Sequence, residues 1–344
     1  MGTLRPMRRR GVTVLLGAVI TALLSIGVLA APIPYVVLRP GPTVDTLGRQ
    51  DDKEVIQVSG RETSTSAGEL RLTTVGVQSD VRLLTAIAGW FSPHEAVVPY
   101  ELIYPPGETQ QEVERRNAED FAASQTSAET AALRELGFPV QVVVKNVVPG
   151  GASEGILKAG DIITSVDDEP VLTAGGLTRM VQARPAGTAL TVGYTRDDTP
   201  ATATIVSRST DNGPPRIGVE VEQRQPHPFE LSIDLDNIGG PSAGLMFALG
   251  IVDKLTPEDL TGGKVIAGTG TINDEGEVGP IGGIPQKLVG AKAAGATYFL
   301  VPADNCAEAV RNAQPGLPLV RVTSLRDALA ALATIRAGGQ PPSC

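Results

Sequence analysis

The sequence predicts an α+β chain led by one transmembrane helix, and three observations carry that reading. An apolar run, GVTVLLGAVITALLSIGVLAAPIPYVVL, separates Arg5, Arg8, Arg9 and Arg10 from the next charge at Arg39. Beyond it, short stretches with period-two alternation trade places with stretches of helical composition. The 39 glycines and 27 prolines, against 3% aromatics, describe a turn-rich fold packed through small residues. At 344 residues the chain has room for a membrane segment and two domains. A net charge of -9 offers no basic surface to neutralise phosphates, so a nucleic-acid partner is excluded.

The first element is the apolar run itself. About 20 such residues span a bilayer as a helix, and the arginines before it hold that end in the cytoplasm, so everything past Val36 faces outward. The run exceeds the 7–15 residues of a cleavable leader's apolar core. Val28-Leu29-Ala30 is nevertheless an acceptable cleavage site, and a secreted soluble hydrolase stays open beside the tethered form. In an outward compartment Cys306 and Cys344 are free to bridge, which would pin the C-terminal tail; two unpaired thiols are the alternative. Without CxxC spacing or a nearby histidine they are not expected to hold a metal.

Arg39-Pro40-Gly41-Pro42 reads as a stiff exit from the membrane, followed by strands at 55–58 and 68–75. Residues 107–136, rich in Glu, Gln and Ala, predict one or two helices ended by Gly137. Residues 136–206 form a compact unit of short strands and turns with a helix-like AGGLTRMVQAR, and 211–226, broken by Pro and Gly, read as a linker or crossover. From Phe229 to Leu235 apolar and polar residues alternate as a half-buried strand that runs into GGPSAGLMFALG. There a helix over 243–255 is apolar nearly all round, hence buried, with Ser242 in its first turn.

Ser242 is either a helix cap or a nucleophile, and a nucleophile needs a base and donors for an oxyanion. The two histidines do not supply the base: His94 falls in the first sheet and His227 between prolines. Lysine remains, and GEVGPIGGIPQKLVGAKAAG sets Lys287 one turn into a second helix, after Pro285 and before Gly295. A lysine of ordinary pKa, about 10.4, cannot accept the proton at neutral pH; lowering it to about 7.5 means destabilising the cation by roughly 4 kcal/mol, which apolar burial supplies. Ile281, Ile284, Leu288 and Val289 are suitable surroundings, and Lys292 reads as a solvated helix face.

Two resemblances order these signals. Over about seventy residues, Leu136-Gly137-Phe138, Gly160-Asp161-Ile162-Ile163 and Val166-Asp167-Asp168-Glu169-Pro170-Val171 resemble the PDZ family, which implies a groove where an extended peptide adds as a strand, with Arg134 a candidate near its carboxylate loop. From Phe229 to Val301, Gly240-Pro241-Ser242-Ala243-Gly244, Val265 to Gly270, Gly276 to Gly283 ahead of Lys287, and Tyr298 to Pro302 resemble the proteolytic domain of the Lon family. That resemblance implies a Ser-Lys dyad with Ser242 as nucleophile, Lys287 as general base and Thr269 orienting the lysine. Gly239 stands where the ATP-dependent members carry an acidic residue. Gly262-Gly263-Lys264-Val265 lacks the spacing and the Ser/Thr of a P-loop, so no ATP is expected.

The whole resembles the PDZ-containing Lon-like membrane proteases of bacteria. The implied organisation is a cytoplasmic N-terminus and transmembrane helix (1–36), the first part of a Lon-like domain with a helical segment (37–130), an inserted PDZ-like domain (131–210) and the Lon-type catalytic domain (211–344). The implied activity is ATP-independent serine endopeptidase action on unfolded or flexible extracytoplasmic polypeptides, without metal or cofactor and with homo-oligomeric association. The rival reading is a catalytically silent, membrane-anchored PDZ scaffold that binds peptides.

Overall fold

The computed structural model describes residues 5–209, 213–235 and 238–344. Parts of the expected cytoplasmic stretch and of the expected linker lie outside the described residues, as do the side chains of residues 5–10, the basic cluster included. Helix α1 (Arg5–Ala30) holds the apolar run; its segment Gly11–Ala30 has a mean hydropathy of 2.5 and buries nothing against the rest of the chain.

After α1 come β1 (Tyr35–Asp45), β2 (Arg49–Gln50), β3 (Lys53–Glu54), β4 (Ile56–Ser59) and β5 (Glu69–Gln78). Helix α2 (Leu83–Phe91), β6 (Ala96–Pro99), a 3₁₀ turn at Tyr100–Leu102 and α3 (Gln110–Glu135) complete the N-terminal part. The expected one or two helices at 107–136 are one. Thr109 and Glu112 close a reciprocal capping box at its start, and Gly137, in the left-handed region at φ 86°, releases the chain at its end.

A second, antiparallel sheet follows: β7 (Gln141–Val147), β8 (Ile162–Val166), β9 (Glu169–Pro170), β10 (Ala189–Arg196), β11 (Thr199–Val206) and β12 (Val219–Arg224), with helix α4 (Ala174–Gln182) across it. Its own apolar core joins Val142, Val144, Leu157, Ile163, Leu190 and Ile205 to Leu177 and Val181 of α4. The stretch 211–226 is therefore not simply a linker. Val219 and Val221 alternate with glutamates and pack on this core, Ile217 is buried in it, and β12 pairs antiparallel with β7 at the sheet edge. The Pro214-Pro215 break hid a short edge strand, which a proline just ahead of it does not disrupt.

The chain then returns to the first body through β13 (Glu230–Ile233), α5 (Gly244–Leu255), β14 (Val265–Gly268), β15 (Thr271–Ile272), β16 (Val278–Gly279), α6 (Ile284–Ala293), β17 (Tyr298–Pro302), α7 (Cys306–Arg311), β18 (Leu319–Val322) and α8 (Leu325–Arg336). The main sheet runs β18-β17-β14-β5-β1-β6. Its C-terminal strands pair in parallel, and β14 pairs in parallel with β5, so strands from both ends of the chain share one sheet and the PDZ-like unit is inserted between them. Every residue of α5 is buried, and Phe247, Leu245 and Met246 hold together a core that reaches from Val55 through α3 to α8. The strand expected over 229–235 is shorter, pairing as β13 with β4, and the helix begins at Gly244. A disulfide joins Cys306 to Cys344, fixing the tail to α7.

Candidate active site

Ser242 lies in the turn before α5 rather than in its first turn, so its hydroxyl does not cap that helix. The turn is held from three sides. Gly240 N–H donates to Asn117 O of α3 at 2.8 Å, and Ser124 Oγ of α3 donates to Pro241 O at 3.0 Å. Ser242 O accepts from Gly270 N–H at 3.0 Å and from Thr269 Oγ1 at 3.0 Å. Gly239 lies against α3 closely enough that a Cβ there would stand 3.1 Å from Asn117 Cβ, which gives a packing reason for the missing side chain at that position.

Lys287 reaches the same place from the first turns of α6. Gly283 caps that helix with φ 74°, Pro285 opens it, and Lys287 N–H bonds back to Gly283 O at 3.1 Å. A Cβ on Gly283 would meet Val75 Cγ2 at 2.5 Å, so the left-handed backbone and the contact with β5 both require glycine. The side chain is 2% exposed. Its Nζ stands 2.8 Å from Ser242 Oγ and 2.9 Å from Thr269 Oγ1, and Thr269 at the end of β14 is fully buried.

Thr269 donates its hydroxyl hydrogen to Ser242 O and accepts from Nζ, and the same Nζ lies within hydrogen-bond reach of Ser242 Oγ. Burial lowers the Lys287 pKa from 10.5 to about 7, and among the described residues no carboxylate pairs with it to offset the loss of water. Ile284 and Leu288 pack with Ala267, Phe299 and Val301, and anchor the helix that carries Lys287.

A cleft of about 450 Å³ opens on this pair. One wall is β5 from Thr73 to Val77, the other the 238–243 turn with Gly282. Pairing of β5 with β14 ends at Leu72 opposite Gly268, which leaves the farther part of that strand edge facing the cleft.

The other sequence-marked residues go elsewhere. His227 packs its ring against Phe138 and Phe229, and His94 sits in an exposed turn between α2 and β6 rather than in the sheet. Leu136-Gly137-Phe138 ends α3 and packs on the main core, and Arg134 donates to Asp274 O; neither lies by the groove of the second sheet. That groove, about 330 Å³, runs between α4 and β12 and is lined also by Arg216-Ile217-Gly218. The available signal was a glycine flanked by Ile217 and Val219 ahead of alternating Val and Glu. Lys292 contacts Gly316 O at the surface.

Comparison with known proteins agrees with both bodies. A family model of the Lon protease (S16) C-terminal proteolytic domain matches residues 237–332, and a PDZ domain model matches residues 112–206. A Lon protease of Azospirillum brasilense is 39% identical over 93 residues, 26% of this chain and 11% of that protein. Lon protease 1 of Bacillus subtilis is 32% identical over 91 residues, 26% of this chain and 12% of that protein. The crystal structure of the PDZ domain of an SdrC-like protein from Listeria monocytogenes is 23% identical, covering 23% of this chain and 85% of that one with a TM-score of 0.23. The chain thus spans about a tenth of the length of the Lon proteases it matches. Fold and matches define an α+β protein with a Lon-type proteolytic domain and an inserted PDZ domain. The chain carries a stretch similar to the Lon C-terminal proteolytic domain and a stretch similar to PDZ domains.

Proposed function

We propose that this chain is an ATP-independent serine endopeptidase, tethered by α1 to a membrane with its cleft on the extracytoplasmic side, and working through a dyad of Ser242 and Lys287. The observation that carries the reading is a buried amine, its pKa lowered by burial to about 7, 2.8 Å from a serine hydroxyl that lines a cleft. Neutral Lys287 takes the hydroxyl proton as Ser242 Oγ bonds to the substrate carbonyl carbon. The resulting ammonium returns that proton to the leaving amine as the C–N bond breaks, leaving an ester on Ser242. Water, deprotonated by the same amine, hydrolyses the ester. Thr269 is a positioning residue that orients Nζ. An extended segment lying along the free edge of β5 would present its carbonyl to Ser242, which favours unfolded or flexible polypeptides over folded ones. The groove between α4 and β12 would hold a substrate terminus by strand addition, with the loop at Gly218 toward its carboxylate.

The test is incubation of the full chain in detergent micelles with a panel of reduced, unfolded proteins, and mass-spectrometric mapping of new termini. Ser242→Ala and Lys287→Ala should each lose cleavage by about a thousandfold or more. Cleavage at the unsubstituted rate by either variant rejects the dyad. Absence of cleavage by the unsubstituted chain, with peptide binding intact, leaves the scaffold reading.

A further inference from the structure

Helix α2 is packed inside out. Its sequence, LLTAIAGWF, holds no charge, and the residues it turns to the protein are the small ones, Ala86 and Gly89. Gly89 lies so close to β6 that a Cβ would stand 2.9 Å from Val97 Cγ2. The large side chains face away: Leu84 is 57% exposed, Trp90 58% and Phe91 86%, with Ile87 between them. An amphipathic helix of a water-facing surface does the opposite. Trp90 is the single tryptophan of a chain with only 3% aromatics.

The position of this face is as telling as its composition. Arg82, just before α2, bridges Pro32, two residues past the end of α1, and Ile33 N–H bonds to Val81 O at 3.0 Å. At the other end of α2 the Trp90 ring meets Tyr35 edge-on with centroids 6.0 Å apart. Both ends of the helix, about 14 Å apart by its rise per residue, are thus pinned to the first residues that leave α1. Leu102, 70% exposed, adds to the same region, because Tyr100 N–H bonds to Pro34 O at 3.1 Å. At the Arg82 end, Pro32 lies two residues past α1, no more than about 7 Å of extended chain, the depth of the polar layer outside the hydrocarbon.

We propose that α2 is a second, shallow membrane contact, its Leu84, Ile87, Trp90 and Phe91 seated at the headgroup boundary of the leaflet from which α1 emerges. The occupant of this face is lipid because α2 lies beside the membrane-spanning helix α1 itself, and tryptophan at one end of an uncharged helix suits the boundary where a ring is half wet. The proposal rests on α1 as an anchor. Two contacts instead of one would fix how the protease body, built on β1 and β6 beneath α2, stands over the bilayer.

The single tryptophan makes the test direct. The full chain is reconstituted into phosphatidylcholine vesicles with anionic phosphatidylglycerol, floated after a high-pH wash, and its fluorescence is read with lipids brominated high on the acyl chain and with aqueous acrylamide. Expected are flotation, emission lowered by about half by the brominated lipid, and weak acrylamide quenching. Leu84→Glu with Phe91→Glu should float equally yet become open to acrylamide. A floating chain whose Trp90 is quenched by acrylamide and not by brominated lipid overturns the proposal while keeping the anchor. Trp90 shielded from both means that a second copy of the chain covers the face, which also overturns it. Failure to float removes the anchor and the proposal together.

Discussion

The most demanding prediction concerns pH. Lys287 has a folded-state pKa of about 7 because burial removes water from its cation, against 10.5 in the unfolded chain. The unfolded state therefore binds one proton more between those values, and stability rises with pH through that window by about 1.4 kcal/mol per unit. Below pH 7 both states are protonated and the penalty is complete, about 5 kcal/mol on this order-of-magnitude basis. Lys287→Met keeps a long flexible apolar stem and removes the ionisation. Thermal unfolding of both proteins, followed by circular dichroism in the same micelles at pH 7.5 and 9.5, isolates the lysine because every other titrating group is common to the pair. The unsubstituted chain should gain about 2.5 kcal/mol, roughly 4 °C in Tm, relative to the methionine variant. In parallel, the rate of acylation by a serine-directed fluorophosphonate should fall about tenfold per pH unit below pH 7, as the base is lost to protonation. Equal pH slopes of stability in the two proteins would refute the reasoning, since they would mean that Lys287 keeps its ordinary charge in the fold.

Three further outcomes follow from the geometry. Thr269→Val removes the acceptor that orients Nζ and one donor to Ser242 O, and should lower kcat about a hundredfold with little change in KM; steady-state kinetics on a flexible peptide separate the two. Gly283→Ala forces a left-handed alanine against Val75 and should cost about 1–3 kcal/mol in chemical denaturation, and adding Val75→Ala should recover the steric part but not the backbone part. Thr178→Arg, an exposed change on the groove side of α4, should raise KM for protein substrates while leaving kcat for a short peptide unaltered; parallel effects on both would remove the groove from substrate capture.

The sequence by itself determined what depends on local pattern and on residue type. The apolar run, the alternation around β4, β5 and β13, the helix ended by Gly137 and the predominantly apolar α5 were legible because burial leaves a pattern on each of them. Ser242, Lys287 and Thr269 were singled out because the motifs that hold them resemble the Lon proteolytic domain. Whether two residues 45 apart in sequence meet is not a local property, and only the tertiary structure decided it: α6 crosses beside β5 so that Nζ arrives 2.8 Å from Oγ, in a site dry enough to strip its charge. Tertiary structure likewise set Ser242 outside its helix, placed the groove beside α4 and β12, away from Leu136-Gly137-Phe138, and made an edge strand of 219–224. It also turned α2 outward. Which face LLTAIAGWF buries is chosen by its neighbours, and Val37 and Val97 leave room only for Ala86 and Gly89. Period and composition are written along the chain, whereas contact and desolvation belong to the packing of elements distant in it.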